Sequence, residues 1–105
     1  VRLSDDDDVH EGVIVPDLIR DALARCRRLR EQWPDIATFA SVHRQLDYLL
    51  KVATDPVADR SRLTDIVIGV QAAREVETID PDLADLLHTI NAWANAWAER
   101  LATLK

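Results

Sequence analysis

Residues that make cross-links, turns or strands are scarce in this sequence, and each scarcity removes a class of protein. Cys26 is the only cysteine in 105 residues, so no disulfide can form within the chain, and a lone thiol fits a reducing compartment better than a secreted fold. Gly12 and Gly69 are the only glycines, too few and too far apart for a loop that cradles phosphates. Aromatic residues are limited to Trp33, Phe39, Tyr48, Trp93 and Trp97, which leaves little strand-forming chemistry. No apolar run approaches the roughly 18 residues that would span a bilayer. The acidic amino end is the opposite of a signal-peptide start, and the expectation is a cytoplasmic chain without a membrane partner.

Site signatures are missing as well. There is no H-E-x-x-H, no Cys/His metal spacing and no nucleophile elbow. His10, His43 and His88 lie on three different segments, and helical spacing relates none of them. The expectation is therefore a protein that is not an enzyme, with no catalytic residue, metal site or cofactor.

What remains is 48% apolar and 30% charged, the composition of a single all-α domain that can bury roughly 60–70% of its unfolded surface. The net charge of −6 is uneven. Asp5, Asp6, Asp7, Asp8 and Glu11 face Arg2 alone in residues 1–14, which read as an acidic, flexible N-terminal arm ending in an extended piece near 13–15. Residues 15–105 form the domain, expected as an antiparallel bundle of about four helices.

Helix 1 is expected from Pro16, with Asp17 beside its positive end, to near Trp33, where Pro34 stops it. Leu18, Ala22, Leu23, Cys26, Leu29 and Trp33 share one side. Arg20, Arg27 and Arg28 fall away from it as a solvated face, which is preferred to a phosphate-binding patch because the whole chain is acidic. Helix 2, about 35–53, takes Asp35 as its N-cap and Ile36, Phe39, Ala40, Leu46, Leu50 and Ala53 as its apolar stripe. His43 and Asp47, one turn apart, suit a structural hydrogen bond.

A second face of helix 2 carries Thr38, Ser41, Gln45, Tyr48 and Val52, a pattern that suggests contact with another helix of the chain or with a partner. Helix 3 is expected after a cap at Asp59 or Ser61 and runs to Val76 through Leu63, Ile66, Val67 and Val70, with Gly69, Ala72 and Ala73 keeping one side small. Helix 4 opens at "DPDL", with Asp80 as N-cap, Pro81 at N1 and Asp82 in the first turn. Leu83, Leu86, Leu87, Ile90, Ala94, Trp97, Leu101 and Leu104 form its seam, and Trp93 borders it.

Between helices 3 and 4, Glu75, Glu77, Asp80, Asp82 and Asp85 follow one another without a base. The helix start explains Asp80 and Asp82, but Glu75 and Glu77 fall where the helix dipole is negative. Acids placed against the dipole mark a surface for a basic partner.

"QLDYLL" (45–50), "DRSRL" (59–63) and "IGVQAAREVETIDPDL" (68–83) resemble the small all-helical immunity proteins that neutralise NAD(P)+ glycohydrolase toxins of bacterial type VI secretion. The resemblance runs from about Pro16 to the middle of helix 4 and rests on Gly69, Ala72, Glu75, Asp80, Pro81 and Leu83. It implies a cytoplasmic protein that binds its cognate toxin domain and blocks the active site. Glu75, Glu77, Asp80 and Asp82 are the expected contacts, with Gln45 and Tyr48 as a further contact surface and Tyr48 as its packing anchor. No nucleic acid and no obligatory homo-oligomer enter this reading. A homodimeric adaptor that self-associates through Gln45 and Tyr48 is the alternative.

Overall fold

Helical backbone begins well before Pro16. The computed structural model of the chain describes residues 3–55 and 57–103, and its first helix, α1, spans Leu3–Gln32 with Pro16 inside it. The start expected at Pro16 and the extended piece near 13–15 are therefore corrected. A proline's fixed φ is compatible with a helix, but inside one it removes the bond its N–H would make and its ring crowds the carbonyl four residues back, at a cost of about 3 kcal/mol; here Pro16 is buried beside Val15 at the edge of the core. The side chains of the acidic run at 1–14 lie outside the described residues.

Ile19, Ala22, Cys26 and Leu29 form the buried side of α1, at the three- and four-residue spacing of one helical face. Leu18 is only half-buried. Trp33 follows the end of α1 and is 48% exposed, so it does not complete the stripe. Arg20, Arg27 and Arg28 are exposed, as expected of a solvated face.

α2 spans Ala37–Thr54, with Ile36 at the N-cap and no side-chain capping bond. Asp35 is displaced from that role because the chain turns tightly before the helix, the Ile36 N–H donating to the Trp33 carbonyl at 3.1 Å. The buried residues are Thr38, Phe39, Val42, Leu46, Leu49 and Val52. They bury more of the helix than the single stripe expected, because α1 covers one side and the 59–76 segment another. Ile36, Ala40, Leu50 and Ala53 sit at the margins. His43 and Asp47 pair as expected, Nδ1 to Oδ2 at 3.3 Å.

The expected third helix is broken into short pieces. A 3₁₀ turn at Leu63–Asp65 is followed by α3, Ile68–Gln71, which passes directly into a π-helical turn at Ala72–Val76. Asp59 does not cap a helix; it accepts from the Ser61 N–H at 3.0 Å and the Ser61 hydroxyl at 2.9 Å, closing a local turn. Those two donors hold the Asp59 carboxyl below its usual pKa. The buried positions are Leu63, Ile68, Ala72 and Val76, while Val67 and Val70 are 47% and 55% exposed.

α4 spans Pro81–Thr103 and begins where expected. The Leu83 N–H donates to Asp80 Oδ1 at 3.1 Å, the bond of an aspartate N-cap. Leu83, Ala84, Leu87, Ile90 and Ala94 are buried against α1, α3 and the π turn. Burying each Leu or Ile side chain stabilises the fold by about 1.5–3 kcal/mol. Leu86 and the two helix tryptophans are half-buried at the core's edge. Trp93 and Trp97 stack at a tilt with centroids 5.7 Å apart, and the Arg60 and Arg100 guanidinium groups each lie 5.4 Å from the Trp97 ring. The fold is an all-α bundle in which a fragmented third segment closes one flank.

Candidate interaction surface

One face of α2 is tied to the fragmented segment by a ladder of polar side chains. Thr38, Ser41, Gln45 and Tyr48 follow each other at helical spacing, and their partners run the opposite way along the chain. The Thr38 hydroxyl donates to Glu75 Oε2. Ser41 Oγ accepts from Gln71 Nε2 and from Gln45 Nε2, both at 3.1 Å. Gln45 Nε2 also reaches Gln71 Oε1 at 2.9 Å, and Gln45 Oε1 accepts from the Val67 N–H at 2.8 Å. The Tyr48 hydroxyl donates to the Asp59 carbonyl at 2.8 Å and accepts from the Arg62 N–H at 3.2 Å. Desolvation raises the phenol's pKa. The second face of α2 is thus occupied by the chain's own 59–75 segment.

This ladder substitutes for the helix caps the sequence does not provide. The Val67 N–H is met by Gln45 from α2, and the Gly69 N–H is met by Asn91 Oδ1 from α4 at 3.2 Å. Helix-start donors are satisfied by side chains distant in sequence rather than by Asp59 or Ser61. Close approach at Gly69 has its reason here, since a Cβ on it would lie 2.9 Å from Asn91 Cγ.

The acids between α3 and α4 are distributed among different tasks. Glu75 lies inside the π turn, closed by the Glu77 N–H donating to the Ala72 carbonyl at 2.9 Å. The Thr38 hydroxyl donates to Glu75 from α2, 37 residues away in the chain. Glu77 is exposed just beyond the turn. Asp80 serves as the α4 cap. Asp82 is exposed and lines a shallow cleft of about 290 Å³ between α1 and α4 with Asp21, Arg25 and Asp85. Asp21 was not foreseen, because nothing local in α1 signals that it meets α4. π turns recur at functional sites; this one contains Glu75 and is followed directly by the exposed Glu77.

Gln45 and Tyr48 lie elsewhere, in the wall of a concavity of about 360 Å³ that also includes Ser41, Arg44, Arg62 and Ile66. Arg44 and Arg62 were not singled out from the sequence; they lie on different segments, 18 residues apart, and only the ladder brings them together. The described residues hold no group of three or more acidic, His or Cys side chains able to hold a metal ion. No described helix is long and apolar enough to cross a membrane.

No curated protein and no solved structure matches the chain. The sequence model of the Tsi6 family matches residues 14–96, a span that contains the ladder, the π turn, the Asp80 cap and most of α4. Tsi6 is an immunity family rather than an enzyme family, and immunity proteins act by binding a protein toxin. The chain belongs to the Tsi6 family of type VI secretion immunity proteins.

Proposed function

We propose that this protein binds a cognate toxin domain that is an NAD(P)+ glycohydrolase, and that it occludes the toxin's active site in the cytoplasm of the cell that makes it. The family match over residues 14–96 carries the immunity role. The choice of toxin rests on the sequence resemblance and on charge: a toxin that hydrolyses an anionic dinucleotide needs a basic pocket, and exposed carboxylates on a packed turn complement one.

Glu77 and Asp82 are the side chains best placed for that role, both exposed at the junction before α4. Glu75 contributes charge while anchored by Thr38, and Asp80 contributes charge while capping α4. Gln45 and Tyr48 act as the wall of the neighbouring concavity rather than as donors to the partner, since their polar atoms are already hydrogen bonded.

Co-expression with the cognate toxin domain tests the reading, with growth and cellular NAD measured together. Restored growth together with restored NAD is the expected result. Growth rescued from a toxin that leaves NAD unchanged keeps the immunity role and rejects NAD(P)+ hydrolysis.

A further inference from the structure

Beside the acidic junction the surface has a second feature of opposite character. The concavity on the ladder face has the Tyr48 ring, Ile66 and Val67 in its apolar wall and Arg44 and Arg62 as its bases. Both arginines are exposed, and among the described residues neither makes an ion pair within 4 Å. Asp65 is the one acid in the wall among the described residues, and Asp59, near Arg62, is already engaged by both donors of Ser61. The shape does not depend on a ligand to form, because Gln45 and Tyr48 fix the 59–71 segment against α2 through four bonds of 2.8–3.2 Å. Val67 in the wall is 47% exposed, and Val70, three residues on in α3, is 55% exposed. Preformed apolar concavities flanked by Arg and Tyr are where protein interfaces concentrate their affinity.

We infer that this concavity is a second docking point for the toxin domain, receiving an apolar side chain followed by a carboxylate that Arg44 and Arg62 engage. The inference rests on the immunity reading and adds the chemistry of the partner's segment. Arginine suits this role because its planar fork pairs with a carboxylate through two parallel bonds. The toxin is then held at two points of opposite charge, which fixes its orientation as attraction to a basic pocket alone does not.

The sign of a charge reversal separates the two contacts. Arg44→Glu with Arg62→Glu makes an already acidic protein more acidic. If the toxin is recognised only through its basic pocket, long-range attraction rises and affinity is unchanged or greater. If the concavity holds a toxin carboxylate, affinity falls.

The test measures binding of the purified cognate toxin domain to the full chain, the double charge reversal and Val70→Asp, with circular dichroism and thermal melting as fold controls. Val70→Asp tests the same face without touching either arginine. The expected result is at least a tenfold loss of affinity for each variant at an unchanged melting temperature. A loss smaller than tenfold in both, with Glu77→Arg still weakening the complex, overturns the second docking point and leaves the immunity reading intact. No binding by the wild-type chain overturns both. A stable dimer of the wild-type chain that the double reversal dissociates assigns the concavity to a second copy and overturns the proposal.

Discussion

Gly69 is glycine because Asn91 occupies the space a side chain would need. A Cβ there would meet Asn91 Cγ and Nδ2 at 2.9 Å, and the backbone N–H already donates to Asn91 Oδ1 at 3.2 Å. Gly69→Ala gains up to ~1 kcal/mol of helix propensity but overpacks a close contact, which costs about 1–3 kcal/mol. The expected outcome is a net loss, read as a lower urea midpoint at unchanged slope, and the loss should shrink in an Asn91→Ala background. Cys26 makes a different demand. Its thiol is fully buried and donates to the Phe39 carbonyl at 3.1 Å, and burial pushes its pKa from 9.0 up to about 11. Because the folded state holds the proton more tightly, this contribution to stability is complete below pH 9 and is lost as pH rises through 11. Urea titrations at pH 8 and pH 10.5 should show a decline in the wild type that is smaller in Cys26→Ala. At pH 8 the native thiol should resist an alkylating reagent that modifies the urea-unfolded chain at once.

Among the elements, α4 and the segment before it differ in how much of their structure is local. The α4 start is written within a few residues: Asp80 caps, Pro81 lacks the N–H a first turn leaves unpaired, and Asp82 meets the positive end. The sequence is therefore sufficient to find it. α3 begins at Ile68 because Gln45 and Asn91 reach its N–H groups from other helices, and no window of sequence around residue 68 contains that information. The same reason governs the candidate site. Thr38, Ser41, Gln45 and Tyr48 were legible as a second face from their spacing, but not the segment that covers them. The exposure of Val67 and Val70 was likewise hidden, since their apolar character suits a core stripe until the backbone turns them outward. A cap that is also an acid can be divided by substitution. Asp80→Ala should cost about 1 kcal/mol by releasing the Leu83 N–H, whereas Asp80→Asn should keep the cap and hold the melting temperature near wild type. Any change in toxin binding by Asp80→Asn then reports the carboxylate's charge alone.

At the scale of the whole molecule, charge acts through distance as well as contact. The body measures 42 × 34 × 22 Å, several times the Debye length of roughly 8–10 Å at 0.1–0.15 M salt. Acids at the α3–α4 junction act on an approaching partner as a group, since Arg25, which shares the cleft of Asp82, is paired with Asp21, and Arg20 is paired with Asp17. Exposed pairs of that kind contribute about 0–1 kcal/mol to stability, so salt should alter the encounter more than the fold. The association rate with the toxin domain is expected to fall about tenfold between 50 and 500 mM NaCl, with a smaller change in dissociation, as for other electrostatically steered encounters. Glu77→Arg with Asp82→Arg should associate more slowly at low salt and show a flatter salt dependence, at unchanged helical content. Stopped-flow mixing across that salt range checks both expectations. An association rate indifferent to salt in the wild type would remove the acids from any steering role and leave recognition to short-range contacts alone.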